Sequence, residues 1–433
     1  MKTSMRIILA VAILSLTGCG IGGGTDGGRA AGIAIASEKE RVLPEVPPGD
    51  LSELVEGNTA FAFDLYQRLA EQQEGENLFY SPYSISLALA MTYAGARGDT
   101  GDQMAHALRF TLPDERLHPA FNALDLELEH RGEGTQAEGE QAFRLNIVNA
   151  IWGQEESYTF LEAFVDTLAA NYSAGLRVVD FARAPEESRG IINDWVSQQT
   201  EGRIEDLIPE GSVDRLTRLV LTNAVYFNAA WAHPFQEGAT EKGAFTLLDG
   251  SQVVVPMMRL AESLGYAEDD DYQAVELPYE GREMSMVIVL PERDRFEDFE
   301  SSLDGDRVQG IVRELTNRRV ALKMPLFEFD SRLELRQALG ELGMPAAFSS
   351  GADFSGMTGT KDLFISDVLH KAFVSVDEEG TEAAAATAVT IVEGEQRPAD
   401  SVTVQVDHPF ILLIRDIDTG TVLFVGRVLD PSA

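Results

Sequence analysis

The chain contains two kinds of apolar pattern, and each predicts one kind of element. Apolar residues that recur every three to four positions are typical of amphipathic helices, and short, almost continuous apolar runs are typical of buried strands. The helices predicted in this way are 50–69, with Asp50 as N-cap, 82–94, with Pro82 at the first helical position, 160–172 and 333–342. The predicted strands are 145–152, 219–227, 274–277, 284–290, 319–329 with Pro325 at an edge or a bend, 402–406, 411–415 and 422–429.

Helices and strands are mixed along the chain without the regular alternation that a doubly wound parallel sheet requires. No internal repeat and no change of composition occurs after residue 50. The pattern therefore predicts an α+β protein with one large domain over residues 50–433.

The N-terminus has the pattern of an export signal. Lys2 and Arg6 precede the apolar stretch 7–16, which is too short to cross a bilayer as a stable helix. The following Leu-Thr-Gly-Cys, ending at Cys19, resembles the lipobox of bacterial lipoproteins. That resemblance implies a signal peptide over residues 1–18 and a lipid on Cys19. The alternative is an ordinary cleaved signal in which the cysteine has no role.

The residues after Cys19 bear on localisation. Gly20 stands where an aspartate would suggest retention in the inner membrane, so the resemblance implies an exported protein anchored in the outer membrane and facing the periplasm or the exterior. Residues 19–49 are rich in Gly and Pro and predict a flexible tether between membrane and body. Because Cys19 is the only cysteine, an intramolecular disulfide is excluded.

The charge balance limits the possible partners. Asp and Glu total 71 against 34 Lys and Arg, and the formal net charge is −37. Such a charge repels phosphate backbones, so we expect no nucleic-acid partner. A strongly acidic surface also stays soluble in concentrated salt, which predicts a halophile-like protein whose stability rises with added salt. The alternative is an acidic protein with no particular habitat.

Motifs of enzymes and of metal sites are missing from the sequence. There is no G-x-S-x-G, no H-E-x-x-H and no phosphate-binding loop, and the six histidines are scattered without metal-ligand spacing. We therefore expect no catalytic residue, no metal and no cofactor. A surface adhesion or scaffold lipoprotein is also disfavoured, because no repetitive or displayed apolar surface is found.

Residues 378–397, EEGTEAAAATAVTIVEGEQR, combine opposed preferences. Four consecutive alanines favour a helix, whereas the following Val, Thr and Ile favour a strand. In an extended strand Thr381, Ala383 and Ala385 would share one face, and small residues would dominate both faces near its start. Such a strand could enter between two existing strands with little displacement of their side chains. The alternatives are a flexible alanine-rich linker and a short helix.

Two motifs relate this segment to a known family. VDEEGTEAAAAT at 376–387 resembles the hinge of an inhibitory serpin, and VQVDHPF at 404–410 resembles that family's C-terminal signature. The likeness extends from 51 to 431 through NLFYSPYSI at 77–85, NDWV at 193–196, LTNAVYF at 221–227 and LHKA at 369–372. It implies the serpin fold, in which three β-sheets are surrounded by about eight or nine helices and a reactive-centre loop, here about 378–400, is exposed.

The resemblance implies a monomeric suicide-substrate inhibitor of serine proteases. The protease would form an acyl-enzyme with the loop, and the cut loop would then insert into the large sheet from Thr381 onward and trap the enzyme. The implied hinge residues are Glu378, Gly380, Thr381, Glu382, Ala383, Ala384, Ala385 and Ala386. The implied sheet-opening residues are Ser81, Ser84, Asn223 and His370, with Trp231 where the hinge first enters.

Two points remain open in this interpretation. A non-inhibitory serpin, acting as carrier or chaperone lipoprotein, is the alternative, although such members usually carry hinge residues that obstruct insertion. The reactive bond depends on the anchor used: counting from the hinge gives Gly394-Glu395, and counting back from the C-terminal signature gives Arg397-Pro398. Val392 and Glu393 are further candidates, for elastase-like, subtilisin-like or glutamate-specific proteases.

Overall fold

The structure of the protein is a computed structural model. It describes residues 32–132, 144–155, 158–172, 176–381 and 401–433. Several residues singled out above lie outside the described residues: the signal peptide 1–18, Cys19, Glu382, Ala383, Ala384, Ala385, Ala386, Val392, Glu393, Gly394, Glu395 and Arg397.

The described part of the chain contains ten α-helices. They are α1 (Pro48–Gln72), α2 (Pro82–Tyr93), α3 (Gly98–Ala107), α4 (Asp114–Glu129), α5 (Glu162–Tyr172), α6 (Pro185–Gln199), α7 (Phe296–Ser301), α8 (Gly305–Glu314), α9 (Arg336–Glu341) and α10 (Ser355–Thr358). None of these described helices combines the length and the apolar composition that crossing a bilayer requires.

The strands are distributed over the whole of the described chain. They are β1 (Ile33–Ile35), β2 (Leu78–Tyr80), β3 (Arg144–Gln154), β4 (Leu176–Val179), β5 (Leu219–Ala230), β6 (Glu241–Thr246), β7 (Gln252–Asp269), β8 (Tyr272–Pro278), β9 (Met284–Pro291), β10 (Thr316–Pro325), β11 (Phe327–Glu334), β12 (Asp367–Val376), β13 (Gly380–Thr381), β14 (Val402–Gln405), β15 (Phe410–Asp416) and β16 (Val422–Val428).

In the described residues these strands form two sheets. Sheet A has the order β1-β4-β3-β5-β13-β12-β11, and sheet B has the order β14-β10-β7-β8-β9-β15-β16-β2 with β6 added to β7. The resemblance implied three sheets and eight or nine helices. The number of sheets differs because the 18-residue β7 pairs with β6 at its start, with β10 through its middle and with β8 at its end. The number of helices differs because short elements such as α7, α9 and α10 are counted.

Helix α2 sets the position of the candidate site. All but one of its twelve residues are buried, because it packs on β3 and β5 of sheet A and on β16 of sheet B. A helix that is buried all round is typical of such a central position. The Ser81 side chain caps the helix by accepting a hydrogen bond from the N–H of Ser84 at 3.2 Å, and Pro82 occupies the first turn as predicted.

Three predicted boundaries are wrong, each for a local reason. Helix α1 begins at Pro48, and Asp50 does not cap it but binds Arg116 of α4. The predicted strand 319–329 is two strands in different sheets, because the chain turns after Pro325. The predicted helix 333–342 starts at Arg336, since the two residues before Leu335 complete β11.

Residues 32–49, predicted to be part of the flexible tether, contact the folded body instead. Strand β1 pairs with β4 at the edge of sheet A, and the last two residues of the predicted tether already belong to α1. An unpaired edge strand presents free N–H and C=O groups, and β1 satisfies those of β4. Residues 32–49 therefore contact the folded body in this structure and do not stand apart from it as a flexible tether would.

Candidate functional site

The two central strands of sheet A separate towards one end. Strands β5 and β12 are parallel and pair directly from Asp367 with Val220 to Ala372 with Val225. Beyond that point β13 lies between them: Gly380 pairs with Ala230 of β5, and Thr381 pairs with Val376 of β12. The first residues of the hinge therefore occupy the head of a gap into which a longer strand could extend. Insertion from Thr381 onward was expected only after cleavage, and the structure differs by placing Thr381 in the sheet already.

Thr381 is held by its side chain as well as by its backbone. It is 1% exposed, and its hydroxyl lies 2.8 Å from the hydroxyl of Tyr279. The backbone of Gly380 lies very close to the backbone of Ala229, and a Cβ at this position would lie 2.3 Å from the Ala229 carbonyl oxygen. Only glycine lets the hinge backbone pass this close to β5.

Trp231 binds the chain just before the hinge. Its ring N–H donates to the carbonyl of Asp377 at 3.0 Å, and its backbone N–H donates to the carbonyl of Glu379 at 2.8 Å. The indole stacks on Tyr279 with ring centroids 4.7 Å apart. The hydroxyl of Thr240 donates to Glu378 at 2.5 Å. We call Trp231, Tyr279, Asp377, Gly380 and Thr381 the hinge site.

A second group of polar side chains lies below this gap, where β5 and β12 pair directly. The structure brings four predicted residues together, and each is 1% exposed or less: Ser81, the N-cap of α2, Ser84 of α2, Asn223 of β5 and His370 of β12. Asn149 of β3 joins them, and with it the five form what we call the polar cluster. The polar cluster and the hinge site are separate: Asn223 and Ala229 are six residues apart on β5, a distance of about 20 Å along a strand.

The hydrogen bonds of the polar cluster run in one direction. The backbone N–H of Ser81 donates to Nε2 of His370 at 3.2 Å, so the ring proton lies on Nδ1. Nδ1 donates to the side-chain oxygen of Asn223, whose amide group donates in turn to Ser84 and to Asn149. The cluster thus connects β3, β5, β12 and α2, and opening the gap between β5 and β12 must break its bond to His370.

The electrostatics of the cluster require a neutral histidine. Complete burial lowers the pKa of His370 to about 3, because no acidic partner offsets the loss of water around the charged ring. The ring therefore accepts the N–H of Ser81 at neutral pH. Protonation of Nε2 would place two donors against each other in a buried position.

Asn149 was not predicted from the sequence, although a signal for it exists. It is a lone amide inside the apolar run IVNAIW, where a buried strand position is expected to be apolar. Tyr279 carried no such signal, because its partner Thr381 lies 102 residues away. In the described residues, no group of three or more His, Cys, Asp or Glu is placed to hold a metal ion.

The chain belongs to the serpin family. The family model described as serpin (serine protease inhibitor) matches residues 56–431. The chain is 39% identical over 399 residues to an uncharacterized serpin-like protein of Thermococcus kodakarensis, covering 92% of this chain and 90% of that one. It is 40% identical to the leukocyte elastase inhibitor of Bos taurus, covering 88% of this chain and all of that one.

Solved serpin structures have the same fold. Tengpin, a thermophilic serpin in the native state, superposes with a TM-score of 0.80 at 28% identity, over 92% of this chain and 97% of its own. Human thyroxine-binding globulin in complex with thyroxine superposes with a TM-score of 0.78 at 30% identity, over 88% of this chain and 99% of its own. The predicted α+β serpin fold is thus confirmed.

Proposed function

We propose that this serpin inhibits serine proteases as a suicide substrate. The observation that carries the proposal is the hinge seated between β5 and β12, at the head of a gap that continues towards the polar cluster. Glu382 is followed in the sequence by four alanines, whose side chains are small enough for that strand to continue without displacing its neighbours. Relatives at about 40% identity are named as elastase inhibitors, which supports the same activity.

The chemistry is that of an interrupted hydrolysis. The serine oxygen of the protease attacks the carbonyl carbon of the reactive bond, the amine of the next residue leaves, and an ester joins protease and loop. The released loop then extends β13 down the gap and carries the protease with it, which distorts the active site before water can cleave the ester.

The energy for this step comes from the inhibitor. About a dozen residues would close ladder hydrogen bonds at roughly 1 kcal/mol net each, on the order of 10 kcal/mol before apolar burial is added. That gain is comparable with the whole stability of an ordinary domain. The uncleaved protein is accordingly a kinetically trapped state.

The site of action follows from the N-terminus. The protein is exported as a monomer and anchored through a lipid on Cys19 in the outer membrane, with the loop facing the periplasm or the exterior. The reactive bond is Gly394-Glu395, and Val392, Glu393 and Arg397 are the other candidates for the residue before the cut. Sequencing the C-terminal peptide that cleavage releases identifies the bond.

The decisive experiment incubates the protein with elastase-like, subtilisin-like and glutamate-specific serine proteases. At least one of them should give a complex of summed mass that survives denaturing electrophoresis. The body cleaved in its loop should melt at a higher temperature than the intact protein. Cleavage without any complex, or equal melting temperatures before and after cleavage, contradicts the proposal.

The second candidate function is that of a carrier or chaperone. The likeness to human thyroxine-binding globulin, whose structure was solved in complex with thyroxine, favours it. Protease cleavage with no trapped complex in the experiment above is the result that this function predicts. The small hinge residues weigh against it, because they permit insertion.

A further inference from the structure

Residues 33–42, upstream of the first helix, contact three separate elements. β1 pairs antiparallel with β4, with Ile33 opposite Val178 and Ile35 opposite Leu176. Next, Asp166 of α5 accepts a hydrogen bond from Ser37 at 2.5 Å and forms an ion pair with Lys39 at 2.8 Å. The segment therefore joins the outer edge of sheet A to the helices beside it.

Arg41 makes the strongest of these attachments. Its side chain is 14% exposed and forms ion pairs with Asp125 at 2.6 Å and Glu129 at 2.7 Å, both on α4. Its Nε donates to the side-chain oxygen of Asn122 at 2.7 Å. Asn122 is completely buried, and its amide group donates back to the carbonyl of Val42 at 2.8 Å. The Asp125 side chain is 15% exposed and that of Glu129 is 55% exposed, so the pair with Asp125 is the better shielded from water. Charge-assisted bonds that are shielded from water are stronger than exposed ones.

The elements that the segment joins belong to different parts of the molecule. Opening the gap between β5 and β12 requires β5, β3, β4 and β1 to move together, because they are paired in that order. Helix α4 packs on α1, which itself packs on β16 of sheet B. Since β12 and α4 both contact the body that contains sheet B, the moving half of sheet A is tied to the stationary part through residues 33–42.

We propose that residues 33–42 form a strap that restrains the opening of sheet A and so keeps the uncleaved serpin in its loop-exposed form. The strap rests on the proposed function only in that both concern the same gap. Its physical basis is that β4 cannot move away from α4 and α5 without breaking the ladder of β1 or the bonds of Arg41. Loss of the strap lowers the barrier to opening even when no protease is present.

The test measures opening without a protease. The probe is a synthetic peptide with the sequence of residues 381–392, TEAAAATAVTIV, which can occupy the gap only when β5 and β12 separate. Its rate of incorporation into the full chain is followed by the mobility of the complex on native gels. We expect Arg41→Ala to incorporate the peptide about tenfold faster than wild type, with Arg41→Lys in between.

The control is Arg68→Ala, which removes an arginine from an exposed pair with Glu71 on α1. This variant should incorporate the peptide at the wild-type rate. Equal rates in Arg41→Ala and Arg68→Ala overturn the strap, and so does a lowered melting temperature of Arg41→Ala with an unchanged rate. If Arg41→Ala does not fold, the incorporation rate of Arg41→Lys compared with that of Arg68→Ala decides the question. Failure to trap any protease, with these rates still ordered as expected, would contradict the proposed function and leave the strap standing.

Discussion

Single side chains control whether the hinge can occupy the head of the gap. Thr381 fits there because it is small, buried and paired through its hydroxyl with Tyr279. Gly380 fits because nothing larger can approach Ala229 so closely. At this position the size and charge of one residue decide between an inserting strand and a free loop.

Thr381→Arg should convert the inhibitor into a substrate. The Thr381 side chain is 1% exposed. An arginine guanidinium in its place would lose its hydrating water without gaining an acidic partner, and this cost prevents entry of the hinge. The ratio of trapped to cleaved molecules, measured on denaturing gels, should fall to nearly zero. Thr381→Ser keeps the hydroxyl and should inhibit normally. Full inhibition by the arginine variant would argue against insertion as the mechanism.

His370 should make stability depend on pH below neutrality. Its pKa is lowered to about 3 by burial, whereas an unfolded histidine titrates near 6.5, so only the unfolded state binds the proton between these values. Stability is therefore independent of this group above about pH 7 and falls by roughly 1.4 kcal/mol per pH unit below 6.5. Urea unfolding at pH 7.5 and pH 5.0 measures the loss.

His370→Gln is the variant that isolates this effect. Glutamine can accept from Ser81 and donate to Asn223 but does not titrate. The loss of stability between the two pH values should be smaller in the variant by about 2 kcal/mol. Other groups titrate in both proteins, so their contributions cancel in the comparison. Examples are His118, whose pKa is lowered to about 4 by burial, and Asp367, whose pKa is raised to about 6 by burial. The same pH dependence in both proteins would show that His370 is not the group responsible.

At the scale of elements, two features together keep β5 and β12 from separating. One is the hydrogen-bond ladder between these strands, and the other is the polar cluster. Asn223 and His370 are directly opposed on the two strands, and Asn149 is directly opposite Asn223 on β3. Three neighbouring strands thus present amide or imidazole groups at one level of the sheet. Because α2 supplies their last partners, the ladder and the helix must be disturbed together when the sheet opens.

Asn223→Ala should weaken this closure. It removes the acceptor of His370 and the donor to Ser84 and Asn149, and each buried group left without a partner costs about 1–3 kcal/mol. The uncleaved protein should melt several degrees lower and incorporate the loop peptide faster. The control is Asn146→Ala on β3, which loses one exposed bond to the carbonyl of Gln199 and should behave as wild type. An unchanged melting temperature in Asn223→Ala would mean that the cluster does not hold the strands.

At the scale of the whole molecule, charge opposes compactness. A net charge of −37 in a chain of 433 residues produces self-repulsion that the folded state feels more than the extended one. The acidic surface therefore reduces the stability of the uncleaved protein, and under the proposed mechanism the kinetically trapped state reduces it as well. Salt acts on the first of these through screening and leaves the second unchanged.

The melting temperature of the intact protein should accordingly rise from low to molar sodium chloride. The increase should be steepest at low concentration, where the screening length shrinks most per unit of added salt. Thermal scans by circular dichroism at constant pH measure it. A melting temperature that stays constant or falls with salt would refute adaptation to high ionic strength.

The residues also differ in how far their roles could be predicted. Pro82 and the α+β class could be predicted from the pattern along the chain, because helix starts depend on neighbours in the sequence. Four members of the polar cluster, Ser81, Ser84, Asn223 and His370, were implied by the family resemblance of short motifs. Asn149 could have been suspected from its apolar surroundings. Two contacts could not be predicted from the sequence: the hydrogen bond of Thr381 with Tyr279 and the binding of Arg41 to α4. In both, the partners are distant in sequence and carry no local signal.

The amino-acid sequence by itself determined the kinds of element and their order, and it predicted a segment able to change from loop to strand, because periodicity and side-chain size act over a few residues. The tertiary structure alone decided that Gly380 and Thr381 already lie between β5 and β12, that one long strand unites two expected sheets, and that residues 33–42 belong to the folded body. Each of these depends on which distant backbone groups remain to be paired once the core has formed.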